Sequence, residues 1–242
     1  FFLWIDSFDP HEPWDPPRKY ADKYFDDYDG KDFIIPGVAW QQVDEPADEE
    51  IERGKALYYG EVTFVDKYIG KLLNKIDMMN LWEDTILMIV SDHGTQVMDH
   101  GNFGKSPDNL RAYNTQINWI VKHPDISSKT DIKPLVQAHD IFPTLLNLVD
   151  IPVTSTGENT WGLVDGSRDK IRDEAVIGWI STHGTSSSSW RTARRPIASW
   201  GLCCRTSRPR RWNPLPGTTS PPSWAPCRNA SAGVITQTPC ST

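Results

Sequence analysis

An α/β fold built on a mostly parallel central sheet is the prediction from this sequence, and three observations carry it. Two short, continuously apolar runs, TILMIVSD (85–92) and INWIVKH (117–123), read as strands buried on both faces. A long amphipathic pattern precedes them, and a second helical pattern follows. The resulting order is helix, strand, strand, helix, with no internal repeat of fixed period to suggest a solenoid or propeller.

The elements follow in order. FFLWI (1–5) reads as a buried strand. The stretch DSFDPHEPWDPPRKY excludes regular structure up to residue 20 through its prolines. Residues 20–48 are acidic, carry turn signals at Pro36-Gly37 and Pro46, and read as a surface excursion. From Ala47 to Asn80, apolar residues recur mostly three or four apart: Ile51, Leu57, Tyr58, Val62, Val65, Ile69, Leu72, Leu73 and Ile76. That spacing predicts one long helix, with acids in its first turn facing the positive end of its dipole. Gly54, Gly60 and Gly70 weaken it, each costing helix propensity. Glu83-Asp84 marks the turn before the strand at 85–92, and Pro124 closes the strand at 117–123. LVQAHDIFPTLLNLVDI (135–151) predicts a helix in which Pro143 either introduces a kink or begins a second helix.

The formal charge of −7 conceals a split. Residues 1–182 hold all 32 acids and 17 of the 25 bases, a balance of −15. Residues 183–242 hold no acid and eight arginines, a balance of +8, together with all four cysteines. Ser, Thr and Pro make up 26 of those 60 residues. We read 183–242 as a separate Arg/Ser/Pro-rich tail, frameshifted or disordered. A basic arm for nucleic acid is the competing reading, but such arms mix Lys with Arg and rarely hold four tryptophans. Nucleic acid is therefore not an expected partner, and the cysteines carry no redox information. No run of 18 apolar residues is present, so no membrane-spanning helix is expected. Phe1 opens in mid-strand, as an internal piece would, which leaves the compartment unassigned.

In open α/β sheets, ligands sit outside the carboxyl ends of the strands. The first apolar run leads into Asp6, Asp9 and His11. The second leads into Ser91, Asp92 and His93, with Gly94 letting the backbone turn. A carboxylate and an imidazole at such a terminus can reach one metal ion. Downstream, Gly101, Gly104 and Pro107 shape a tight loop carrying His100 and Lys105. An ammonium beside a metal holds a tetrahedral anion and stabilises charge developing on a leaving group. Asp-His-Gly alone is a common turn tripeptide, and Asp99-His100-Gly101 reads as loop structure. The conjunction of these residues, rather than any one, points to a site.

The segments FFLWIDSFDPHEPWDPP, YYGEVTFVDKYIGKLL, TILMIVSDHG, DHGNFGK and HDIFPTLLNL, in this order, resemble the formylglycine-dependent sulfatases of the alkaline-phosphatase superfamily. The likeness runs from Phe1 to about Asp150 and weakly to Trp179. It implies an alkaline-phosphatase-like sandwich, incomplete at both ends, with residues 1–182 forming the C-terminal part of the catalytic domain. It implies that Asp92 and His93 bind one divalent cation, Ca²⁺ by family habit. The His93 nitrogen suits Mn²⁺ or Zn²⁺ better. His11 would contact the sulfate and protonate the leaving alcohol, Lys105 would bind sulfate oxygens, and His100 would join the substrate contacts. The family nucleophile is a formylglycine made by a maturating enzyme from the Cys or Ser of a Cys/Ser-x-Pro-x-Arg motif. No such motif is read in this chain, the nearest strings lying in the tail. The resemblance places it, with a pair of metal-binding aspartates, upstream of Phe1. The implied activity is hydrolysis of aryl or carbohydrate sulfate esters, with this chain alone inactive. Alternatives are a phosphate or phosphonate monoester hydrolase of the same superfamily and a non-catalytic binder of sulfated glycans.

Overall fold

Three apolar clusters, the smallest of them Leu135 with Ala175, organise the computed structural model, which describes residues 1–39, 46–105, 110–129, 131–179, 189–193 and 198–202. The helices are α1 (Arg18–Ala21), α2 (Pro36–Ala39), α3 (Asp48–Met78), α4 (Ala112–Thr115) and α5 (Ile141–Leu148). The strands are β1 (Leu87–Val90), β2 (Gln96–Val97), β3 (Phe103–Gly104), β4 (Ile117–Lys122), β5 (Asp131–Ile132), β6 (Ala175–Trp179), β7 (Ser189–Ala193) and β8 (Ala198–Leu202).

The long helix forms as its periodicity predicts. Asp48, Glu49 and Glu50 occupy its first turn, and the Glu50 carboxylate accepts the Ala47 N–H at 2.8 Å, satisfying a donor that the helix cannot. Its buried residues lie in the first half: Arg53, Gly54, Ala56, Leu57, Gly60 and Glu61. In α5, Pro143 sits in the first turn, where its missing N–H has no intrahelical partner to lose. A 3₁₀ turn at Ala138–Asp140 leads into it, so the predicted 135–151 segment is a short entry plus one helix. Asp140, fully buried, accepts the backbone N–H groups of Gln137 and Glu158 and the guanidinium of Arg172. These donors hold its carboxyl below the usual carboxylate range against the opposing effect of burial.

The main sheet has the order β1-β4-β8-β5. Its β4–β8 ladder is parallel, whereas β1–β4 and β5–β8 are antiparallel. Among the described residues the sheet is therefore mixed rather than mostly parallel. The reason lies in the connection from Val90 to Ile117, which holds the β2–β3 hairpin and four-residue α4 but no long crossover helix. Ile117, Trp119 and Val121 point to one core with Ile132, Val136 and Leu163, while Asn118 faces out. That is the alternation of a half-buried strand, not of one covered on both faces. Among the described residues β1 is an edge strand, with Val90 41% exposed.

Residues 1–5 form no strand: Phe1, Phe2, Leu3, Trp4 and Ile5 are all exposed. A strand exists only beside another, and none of the described strands pairs with this run. Most of the 183–242 tail lies outside the described residues; β7 pairs antiparallel with β6, and β8 joins the main sheet. Among the described residues, no helix is long and apolar enough to cross a membrane.

Candidate active site

The second core sets the site. Trp14 is fully buried against Ala21, Leu57 and Phe103. Its ring meets Tyr58 of α3 at 5.2 Å and Phe103 of β3 edge-on at 5.6 Å. Its indole N–H donates to the Pro10 carbonyl at 3.2 Å, and its backbone N–H to the Ile34 carbonyl at 2.7 Å. One side chain thus ties the Pro-rich loop, the long helix and the end of the β2–β3 hairpin together.

The loops so fixed bring His11 to Lys105, 94 positions later, with Lys105 Nζ 2.7 Å from His11 Nε2. Lys105 follows Gly104, whose φ of +81° turns the chain inward. The ammonium also lies 3.4 Å from Glu12 Oε2. His11 Nδ1 faces acceptors only, the Glu12 carbonyl at 2.7 Å and Glu12 Oε2 at 3.3 Å. Since an ammonium only donates, these partners assign the Nδ1–H tautomer, with the Nε2 lone pair toward Lys105. Glu12 is the residue that sequence reasoning missed. Its only signal was its place between His11 and Pro13, and its contact with Lys105 spans 93 residues.

The acid–imidazole pair sits alongside. His93 Nδ1 is 2.8 Å from the Gly94 carbonyl, which leaves its Nε2 lone pair free, 3.4 Å from Asp92 Oδ2. Asp92 Oδ1 accepts the His93 N–H at 2.8 Å. The His93 and His11 rings are 6.4 Å apart, edge to face. Gly94 is required for close approach rather than for a sharp turn. A Cβ there would lie 2.0 Å from the Tyr113 carbonyl oxygen, while its N–H bonds Asn114 O at 3.0 Å. Asp92, His93 and Lys105 line one pocket of about 250 Å³ with Leu110, Asn114, Thr115, Ile177 and Gly178.

As a cation site the pair is partial. A carboxylate oxygen and a free imidazole lone pair suit a divalent ion, but Ca²⁺ takes about six to eight oxygen ligands and Zn²⁺ about four ligands. Among the described residues, no cluster of three or more His, Cys, Asp or Glu side chains is assembled to complete it.

His100 does not line this pocket. It is exposed, in the left-handed region at φ 56°, with its ring 5.9 Å from that of Tyr113. Asp99 accepts the Val97 N–H at 3.0 Å, so the second Asp-His-Gly shapes the loop that delivers Lys105. Beneath the His11 loop, Glu61 of α3 is 2% exposed. Burial, with the charge of Asp9 adding, pushes its carboxyl up to about 7 against a hydrogen bond from the Asp15 backbone. The tail does contain one string of the nucleophile pattern, Ser207-Arg208-Pro209-Arg210-Arg211, which the sequence reading passed over. It lies outside the described residues.

Residues 1–151 match the family model described as Sulfatase. An arylsulfatase of Clostridium perfringens is 29% identical over 206 residues, covering 76% of this chain and 42% of its own length. Arylsulfatase K of Gallus gallus is 30% identical over 105 residues, covering 43% of this chain and 19% of its own. An ulvan-active sulfatase of Formosa agariphila is 26% identical over 181 residues, 69% of this chain and 32% of its own. The chain spans less than half the length of each of these relatives. Among solved structures, the phosphonate monoester hydrolase SpPMH of Silicibacter pomeroyi superposes with a TM-score of 0.50 at 19% identity, covering 71% of this chain and 35% of that one. That likeness shows a shared α/β fold.

Proposed function

The chain belongs to the sulfatase family, and from that premise we propose that residues 1–182 form the C-terminal part of the catalytic domain of a sulfuric ester hydrolase acting on aryl or carbohydrate sulfates. The observation that carries this reading is the meeting of Lys105 with His11 at 2.7 Å beside the Asp92–His93 pair. A sulfate monoester presents three oxygens and one leaving alkoxide. Lys105 supplies a charged donor for the oxygens. His11, one hydrogen bond away, is placed to hold and release a proton at Nε2 toward the leaving alcohol. Glu12 fixes the His11 tautomer through Nδ1 and limits the reach of the ammonium.

Asp92 and His93 would supply two ligands to a divalent cation, Ca²⁺ before Mn²⁺ or Zn²⁺, whose charge would stabilise the bound sulfate oxygens. His100 would contact only a substrate extending beyond the pocket. The nucleophile remains a formylglycine formed in the longer protein by a maturating enzyme. Ser207 follows the metal pair in sequence, against the family order, and we assign it no role.

The test is anion binding by the 242-residue protein, followed through the His93 ring signals by NMR during titration with inorganic sulfate and then phenylphosphonate. Sulfate should bind, and Lys105→Ala and His11→Ala should each weaken it at least tenfold. Equal affinity in both variants would remove the site assignment. Tighter binding of phenylphosphonate than of sulfate would favour the phosphonate ester reading over the sulfate one.

A further inference from the structure

A second cationic feature lies away from the pocket, where α1 crosses α3. Lys19, Lys23 and Lys67 place their ammoniums 5.4, 5.5 and 5.5 Å from the centre of the Tyr20 ring. Lys67 also donates to the Tyr20 hydroxyl at 2.8 Å. One turn on, Lys71 sits 4.3 Å from the centre of the Tyr68 ring. Lys75 continues the row, so Lys67, Lys71 and Lys75 recur every four residues along one face of α3. The helical rise spaces them by about 6 Å.

Two observations show that this charge is not balanced internally. Among the described residues, lysine ion pairs to acids are made by Lys55, Lys105, Lys129 and Lys170, none of them in this group. The adjacent Asp22 is already taken by Arg53 and Arg18. The Tyr20 hydroxyl is held below the usual tyrosine range by the hydrogen bond from Lys67, with the charges of Lys67, Lys19 and Lys23 adding. Like charges four apart on a helix repel. Yet the row stands in a body whose 182 residues carry a balance of −15.

We infer that Lys19, Lys23, Lys67, Lys71 and Lys75 form a secondary binding surface for a sulfated polysaccharide chain, separate from the Lys105 pocket. The choice of a sulfated chain rests on the sulfate-ester reading above; the choice against nucleic acid rests on the rings. Tyr20 is 6% exposed, and Phe64 fills the space between it and Tyr68 at 5.1 Å from each. Tyr68 is 50% exposed, but Lys67 and Lys71 stand 5.7 and 4.3 Å from its ring centre, so a base could stack there only beside or in place of an ammonium. The surface offers regularly spaced point charges more than a stacking platform. That fits a flexible polymer of non-planar rings bearing repeated anions. Five ammoniums in a row would hold such a chain while a terminal sulfate reaches a pocket elsewhere on the protein.

The experiment measures binding of the 242-residue protein to immobilised heparin across a range of salt, with hyaluronan and duplex DNA as unsulfated comparators. The variant replaces Lys23, Lys67 and Lys71 by Gln, and a control replaces Lys129, Lys133 and Lys170 by Gln for the same change in net charge. The arginines beyond residue 182 are present throughout and set a common background. The patch variant should lose at least tenfold in heparin affinity and show a shallower salt dependence, whereas the control should change less than threefold. Equal losses in the two variants would overturn the proposal. So would DNA or hyaluronan binding as tightly as heparin and with the same sensitivity to the patch. Inorganic sulfate titrated against the patch variant reads the Lys105 pocket separately. Intact sulfate binding with lost heparin binding supports the surface, and lost sulfate binding in Lys105→Ala with intact heparin binding keeps the pocket and surface distinct.

Discussion

Two glutamates on either side of the His11 loop show how single carboxyl groups set this site. Glu12 holds His11 and Lys105, and Glu12→Gln keeps its size while removing the charge. That variant should bind sulfate no less tightly, because an anion competing with the ligand has gone. In the full-length enzyme, however, it should lower kcat about tenfold or more through loss of the fixed His11 tautomer. Glu12→Asp should restore part of that rate; a fall in kcat equal to that of Glu12→Gln would assign Glu12 to packing alone. Glu61 acts through protonation. Its folded carboxyl, at about 7, lies above the ordinary 4.5, so folding favours the proton-bound form. The stability it contributes is complete below pH 4.5, declines as pH rises, and is gone above pH 7. Replacing it by Gln should therefore raise Tm at pH 8, by a stabilisation on the order of 1–3 kcal/mol, and leave Tm unchanged at pH 4. Thermal melts at the two pH values check this, and an equal shift at both would show a packing effect instead. Neither glutamate was legible in the sequence, since each owes its role to a neighbour brought close only by folding. Asp92, His93 and Lys105, by contrast, stand within one short motif and were legible as residues.

At the scale of elements, Trp14, Asp140 and Arg53 are the clamps, Arg53 donating to Asp32 at 2.7 Å and to Asp22 at 2.9 Å. Trp14→Ala should cost about 3–5 kcal/mol by the usual penalty for emptying a large aromatic site. It should also loosen His11 from Lys105, so sulfate binding falls together with Tm in calorimetry. The charged clamps differ in how far water can replace what is lost. Asp140→Ala leaves the Arg172 side chain, 14% exposed, without its carboxylate and should cost about 3–5 kcal/mol. Arg53→Met leaves Asp32, whose side chain is 40% exposed, open to water and should cost less, about 1–3 kcal/mol. Urea titrations rank the two directly. Helix α3 was legible from its periodicity, but its buried face was not. Gly60, a weakness by propensity, lies where a Cβ would meet the Ala21 backbone and the Pro16 ring at 2.9 Å, and so admits the segment that carries Trp14. Propensity describes a helix alone, and this one is defined by what crosses it.

For the whole molecule, the α/β class was legible because strand and helix periods differ, and the family likeness because several motifs keep their order. The sense of strand pairing was not, since an apolar run carries no direction. It was decided by the connection between the strands. The run at 1–5 failed for a related reason: hydrophobicity nominates a strand, but only a neighbour makes one. The split in charge also divides behaviour. Ionic strength should affect polyanion binding strongly through the lysine row and the arginines, but barely affect folding, which rests on the apolar cores. Melts in 50 and 500 mM salt that differ by more than a few degrees would contradict that division.

Five apolar side chains in water, Phe1 to Ile5, lie in the same chain as β1, which among the described residues is paired on one side only. Exposed apolar side chains and a strand paired on one side together favour chain-to-chain association as concentration rises. Handling this protein is therefore a problem of dilution and shielding. Placing lysines at Phe2 and Trp4 should keep it monodisperse at concentrations where the unaltered chain sediments as a growing series of species.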